Sequence, residues 1–189
     1  MNNTTIHIKN MVCQSCIKVV ANELKALGLQ VIEVKLGKVI YSYSASLPIE
    51  TIAGVLEKNG FEIILKREEK LVELIKITIL DVINNHPNIL SEEKVYIYLA
   101  EVIGKPYPYL SKAFSRNKKI TIERYFILQK IEKAKEFIEY EELTFSEIAY
   151  RLGYKSVQHL SMQFKEIVGM SKTEYQRLKT NGRKSIDEI

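Results

Sequence analysis

The only two cysteines of this 189-residue chain stand three residues apart, within NMVCQSCIKVV at residues 10–20. Cys13 and Cys16 lie where an alternating apolar segment gives way to a helical spacing. Three chemistries fit that placement: a pair of thiolates holding a soft metal ion, a redox-active dithiol, or two thiols that simply pack. A thiolate is the nucleophile and the ligand, and a helix N-terminus favours its charge. Two sulfurs suit Cu(I) or another thiophilic cation, which accepts few soft ligands. A structural zinc site wants four ligands, so zinc would need two copies of the chain. His7 is a third candidate ligand, but on a strand flanked by Ile6 and Ile8 it is expected to point into solvent. No catalytic constellation appears elsewhere, so the chain does not read as an enzyme. His7, His86 and His159 are scattered, and no Ser/His/Asp group, carboxylate pair or glycine-rich phosphate loop stands out.

The elements around the thiols follow from periodicity. TIHIKNM alternates and reads as a strand. From Ser15 to Leu27 the apolar positions Ile17, Val20, Ala21, Leu24 and Leu27 make one helical stripe that Gly28 ends. LQVIEVKL and KVIYSYSA read as two strands turning at Gly37. LPIETIAGVLEKNG reads as a helix with Pro48 at its start and Gly60 past its end, and FEIIL closes as a strand. The order β-α-β-β-α-β is the ferredoxin-like arrangement. The charge run KREEK at residues 66–70 marks a boundary. Beyond it, helices are expected at about 70–84, 92–103, 107–116, 121–138, 144–151, 156–168 and 171–178. The fold class is therefore an α+β ferredoxin-like domain at 1–66, an all-α domain at 71–180, and a flexible tail at 181–189.

Charge and composition set the partners. Residues 1–65 carry 6 Lys, no Arg and 5 Glu, leaving 22 basic and 18 acidic residues for the remainder. A mildly basic, Arg-containing helical half points to an anionic partner. No apolar run approaches the roughly 20 residues that span a bilayer, and the N-terminus lacks the pattern of a signal peptide. Two cysteines make no disulfide framework, which suggests a reducing compartment, most simply the cytoplasm.

The helical half repeats itself. Leu99, Ala100 and Gly104 match Ile148, Ala149 and Gly153 at an offset of 49, and Leu110, Ser111 and Phe114 match Leu160, Ser161 and Phe164 at 50. Each copy is a helix with a small Ala, a turn carrying Gly, and a second helix with an apolar i, i+4 pair. This is the helix-turn-helix pattern.

Residues 75–178, and most specifically KIEKAKEFI, SEIAYRLGY, FKEIVGMS and EYQRL, resemble the DNA-binding region of AraC-type transcriptional regulators. The resemblance implies seven helices, with two helix-turn-helix units on one connecting helix and duplex DNA at a promoter or operator as partner, RNA polymerase being a further one. A connecting helix of about 18 residues spans about 27 Å, so two recognition helices can enter successive major grooves. With Leu160 and Phe164 inward, Gln158, Ser161 and Met162 face outward and His159 lies at the margin. Gln158 is the candidate reader of an adenine edge, and Met162, where the family often carries Arg, could touch a thymine methyl. In the first unit Ser111, Lys112 and Tyr109 take the corresponding face. Arg116, Lys118, Lys119 and Lys165 are placed for phosphates. Pro106 and Pro108 must sit before or within the first turn of their helix.

KNMVCQSCIKVV with the β-α-β-β-α-β order resembles the heavy-metal-associated domain of copper chaperones and metal-transporting ATPases, over residues 4–65. Met11, Cys13 and Cys16 match its motif Gly-Met-x-Cys-x-x-Cys, Asn10 replaces the Gly, and Phe61 would pack near the metal loop. The resemblance implies Cys13 and Cys16 as ligands. A thioredoxin-like pair also opens a helix, but that fold exceeds 65 residues and here a single helix precedes a hairpin. Together the two halves suggest a metal-responsive DNA-binding regulator; the alternative is a metal carrier whose helical half binds a protein partner.

Overall fold

In the computed structural model, which describes residues 2–43 and 47–178, the chain divides into two compact units, Met1–Ile77 and Thr78–Ile189. The expected tail at 181–189 lies outside the described residues. No helix among the described residues is long and apolar enough to cross a membrane.

The first unit is built on a four-stranded sheet, β1 Asn2–Lys9, β2 Gln30–Lys35, β3 Lys38–Tyr43 and β4 Glu62–Ile63, in the order β2-β3-β1-β4. Every pairing is antiparallel, with Ile6 opposite Val39 and Ile8 opposite Ile63. Helices α1 Gln14–Ala26 and α2 Ile49–Glu57 supply the rest of the core. Alternation places Ile6 and Ile8 on one face of β1, and there they meet Val20 and Leu24 of α1, Ile52 and Leu56 of α2, Met11 and Phe61. Burying each such side chain contributes about 1.5–3 kcal/mol, so this small cluster holds the loop carrying the cysteines.

Three boundaries differ from the sequence reading. FEIIL yields only a two-residue strand. The Phe61 amide is drawn back to the Leu56 carbonyl at 3.1 Å, ending α2, and its ring turns into the core. In β2 the register shifts between Val31 and Glu33, a bulge that leaves Ile32 exposed. The charge run begins a helix, α3 Arg67–Asn85, whose first turn carries Glu68 and Glu69 where the helix dipole favours acid. The division between the units falls within α3.

The second unit continues with a 3-10 turn at Pro87–Ile89 and six helices: α4 Glu92–Ile103, α5 Tyr107–Lys118, α6 Ile122–Tyr140, α7 Phe145–Arg151, α8 Val157–Val168 and α9 Lys172–Leu178. Side-chain caps start α6 and α7. Thr121 accepts from the Arg124 amide to start α6, and Thr144 with Glu147 forms a reciprocal capping box on α7. The 19 residues of α6 correspond to a rod of about 28 Å. It packs against α5, α7, α8 and α9, and residues on nearly every side of it are buried. That enclosure explains two buried cations. Lys130 lies 3.9 Å from the centroid of the Tyr154 ring, and Lys135 pairs with Glu132 at 2.7 Å.

Candidate nucleic-acid interface and thiol pair

Helices α4 and α5 form one hairpin, α7 and α8 the other, and each turns on a left-handed glycine, Gly104 at φ +68° and Gly153 at φ +69°. The two glycines are not equivalent. A Cβ on Gly104 would meet nothing within 4 Å, whereas one on Gly153 would stand 2.6 Å from Leu90 Cβ. The second turn therefore requires glycine for both backbone angle and space.

Helix α8 starts from Ser156, whose hydroxyl accepts from the His159 amide at 3.1 Å. Leu160 and Phe164 are fully buried, and Gln158, Ser161, Met162 and Lys165 are exposed, Met162 at 67%. Exposed His159 sets its ring edge-on to Tyr154, centroids 5.4 Å apart, and borders a cavity of about 420 Å³ with Phe126 and Lys130. It belongs to the margin of the outward face. An acid, Glu166, also stands exposed on α8, and Arg124 of α6 neutralises it with an N–O distance of 3.1 Å.

Helix α5 opens on Pro106 as cap, with Pro108 inside the first turn, where a missing N–H costs nothing. Tyr107 stacks on Tyr96 with centroids 4.4 Å apart and donates to Glu123 Oε1 at 2.6 Å, tying α5 to α6. Burial, then the bond to Glu123, pushes this phenol far above its ordinary range. Tyr109, Lys112 and Arg116 are exposed, while Ser111 and Lys118 are half-buried. Lys119 ends the helix, exposed, in the left-handed region at φ +62°. Ser111 thus turns further inward than its counterpart Ser161.

In the first unit, Cys13 is the N-terminal cap residue of α1 and exposed, and Cys16 sits half-buried one turn in. Their sulfurs are 3.3 Å apart, well beyond the roughly 2.05 Å of a disulfide. The Cys16 amide, aimed at the Cys13 sulfur, holds Cys13 below the usual thiol range, with Ser15 adding to the effect. This donor set fits a soft cation: two thiols at an accessible edge, one already biased toward the thiolate. His7 does not join them. No group of three metal-ligating side chains occurs among the described residues, and His7, expected in solvent, is half-buried. Burial, then the charges of Lys70 and Lys38, lowers its pKa.

A model of the helix-turn-helix domain matches residues 99–178. Among solved structures, the C-terminal domain of AraT, a response regulator from Geobacillus stearothermophilus, is 26% identical and superposes with a TM-score of 0.50, over 60% of this chain and 88% of its own. The C-terminal part of this chain is a helix-turn-helix domain. Two further structures are similar to it. A DNA-binding transcriptional dual regulator from Escherichia coli K-12 is 24% identical, over 56% of this chain and 91% of its own, with a TM-score of 0.47. The C-terminal domain of the response regulator yesN from Fusobacterium nucleatum is 26% identical, over 52% and 93%, with a TM-score of 0.45. No curated protein matches the chain.

The matched residues of the helix-turn-helix domain run from Leu99 inside α4 to the end of α9, all in the second unit. Periodicity finds the exposed residues of α8 but places Ser111 of α5 on the outward face, where it is half-buried. It missed Arg124 and Glu166, because an ion pair between helices 42 residues apart leaves no local pattern. It also passed over Lys155, exposed in the turn before α8, whose signal was a basic residue beside a helix start.

Proposed function

We propose that this chain is a sequence-specific DNA-binding regulator of transcription. Its α5 and α8 enter successive major grooves, and its first unit, a ferredoxin-like domain of the heavy-metal-associated kind, takes up Cu(I) or another thiophilic cation at Cys13 and Cys16. The observation that carries the DNA reading is the twofold occurrence of one hairpin, each ending in a helix with a buried i, i+4 pair and a polar outer face, joined by the capped rod α6. A rod of about 28 Å approaches the roughly 34 Å repeat of the duplex.

The division of labour follows from side-chain chemistry. Gln158 offers a donor and an acceptor to adenine, Met162 an apolar surface to a thymine methyl, and Ser161 and His159 polar groups beside them. On α5, Tyr109 and Lys112 face the bases, with Ser111 behind them. Arg116, Lys118, Lys119 and Lys165 meet phosphates and set the register. The metal reading is supported by the strand order β2-β3-β1-β4, the free sulfurs 3.3 Å apart, and the depressed Cys13. A bound cation supplies positive charge shared between two thiolates. RNA polymerase is the partner through which such a regulator acts.

Protein kept reduced and titrated with Cu(I), while its affinity for the DNA upstream of its own gene is followed, tests both parts. Site-specific binding that shifts on metal uptake is the expected result. Site-specific binding indifferent to occupancy rejects sensing alone, and salt-insensitive association with any duplex rejects the DNA reading.

A further inference from the structure

We infer that Asn10 and Glu73 are positioning residues for the thiol pair, and that through them occupancy of the Cys13–Cys16 loop is felt by α3; this rests on the metal-binding reading of that pair. The loop is pinned at Asn10, which holds a left-handed φ of +69°. Its backbone N–H donates to Glu73 Oε1 on α3 at 2.9 Å, and its side-chain Nδ2 donates to the Gly60 carbonyl at 3.0 Å. Its own carbonyl oxygen faces Cys16 Sγ at 4.0 Å. One residue therefore carries the α3 contact on its N–H side and the ligand contact on its C=O side. A displacement of Cys16 Sγ on ion uptake presses on that carbonyl, and a shift of Asn10 as a whole is passed through its Cα to the N–H that Glu73 holds.

The α3 end of the path is built to respond. Glu73 and Lys76 are each only 5% exposed and pair at 3.3 Å. A buried carboxylate that loses a hydrogen bond is left with an uncompensated desolvation cost, so the bond to Asn10 is not lightly given up. Glu69, one turn earlier on the same face, reaches Lys9 at 3.7 Å, and Ile77, one turn later, closes on Gly37. Positions 69, 73 and 77 share a single helical face, from which Glu69 and Glu73 clasp Lys9 and Asn10 just before the cysteines and Ile77 meets the turn at Gly37. All of these contacts lie in the first unit.

The test is hydrogen–deuterium exchange of amides 67–77 in the full-length reduced protein, with and without Cu(I), alongside a separate measurement of Cu(I) uptake. Two double variants isolate the hydrogen bond: E73Q/K76M keeps an acceptor for the Asn10 N–H, and E73L/K76M removes it, both without the ion pair. Wild type and E73Q/K76M are expected to show a metal-dependent change in exchange over 67–77, and E73L/K76M to take up Cu(I) with that change lost. Uptake by the wild type without any change at 67–77, or an unaltered response in E73L/K76M, overturns the coupling while leaving the metal site standing. No uptake by the wild type overturns the metal site and the coupling with it. Should E73L/K76M not fold, Asn10→Gly accepts the positive φ and retains the N–H. It must keep the response, and a lost response overturns the assignment to this bond.

Discussion

Gln158 and Lys119 make the sharpest contrast at the scale of single residues. Gln158 is exposed at the start of α8, where a side chain reads base edges. Gln158→Ala should therefore cost about 1–3 kcal/mol on the preferred sequence and flatten preference at one base pair, as competition binding with single-base variants would show. Lys119 has a different duty and an internal conflict, because a non-glycine residue at φ +62° bears strain of about 1–2 kcal/mol. Lys119→Gly should weaken every sequence alike and lower the salt slope by about 1. The same change should leave the melting temperature unchanged or raised. A fall in both stability and sequence preference would show that Lys119 packs rather than contacts phosphate.

Turns and caps decide at the scale of elements. Gly104 and Gly153 stand at matching places in the two hairpins, yet only Gly153 is pressed against Leu90. Gly104→Ala should cost about 1–2 kcal/mol, from the backbone angle alone. Gly153→Ala adds overpacking of about 1–3 kcal/mol to that cost. Denaturant unfolding of the two variants separates the terms, and equal losses would contradict the asymmetry. The capping boxes carry a pH dependence. Hydrogen bonds from Thr144 to Glu147, and from Ser171 to Glu174, hold both carboxyls below their ordinary range. A depressed folded pKa contributes stability that is present above the unfolded value, roughly 4.3, and is lost as pH falls through the folded one. The double variant Glu147→Gln, Glu174→Gln should therefore lose less stability on acidification below that pH than the wild type does. Parallel acid-unfolding profiles would refute the assignment.

At the scale of the molecule, the features with a local period were readable from the chain alone. Leu160 and Phe164 announced the inner face of α8, Gly153 its turn, and Pro106 the start of α5. What periodicity could not show were contacts that arise only on folding. Glu69, Glu73 and Lys76 look like a solvated charged face, and α3 buries two of them because the loop at Asn10 offers an amide to hold. Lys130 and Lys135 look like surface cations on α6 and are buried because aromatic rings and Glu132 close over them. Ser111 repeats Ser161 in sequence but not in exposure, since the repeat fixes backbone phase and leaves the neighbours free to differ. The formal charge of +5 sets the electrostatic background, with an excess of only four positive charges beyond residue 65. Affinity at physiological salt must then come from placed contacts more than from bulk attraction.

Methylation interference on the bound upstream DNA of the chain's own gene measures the placement of both recognition helices at once. Two clusters of major-groove interference are expected on one face of the duplex, centred about 10 base pairs apart, with Gln158→Ala erasing detail in one cluster only. A single cluster, or two whose separation puts them on opposite faces, would contradict that placement.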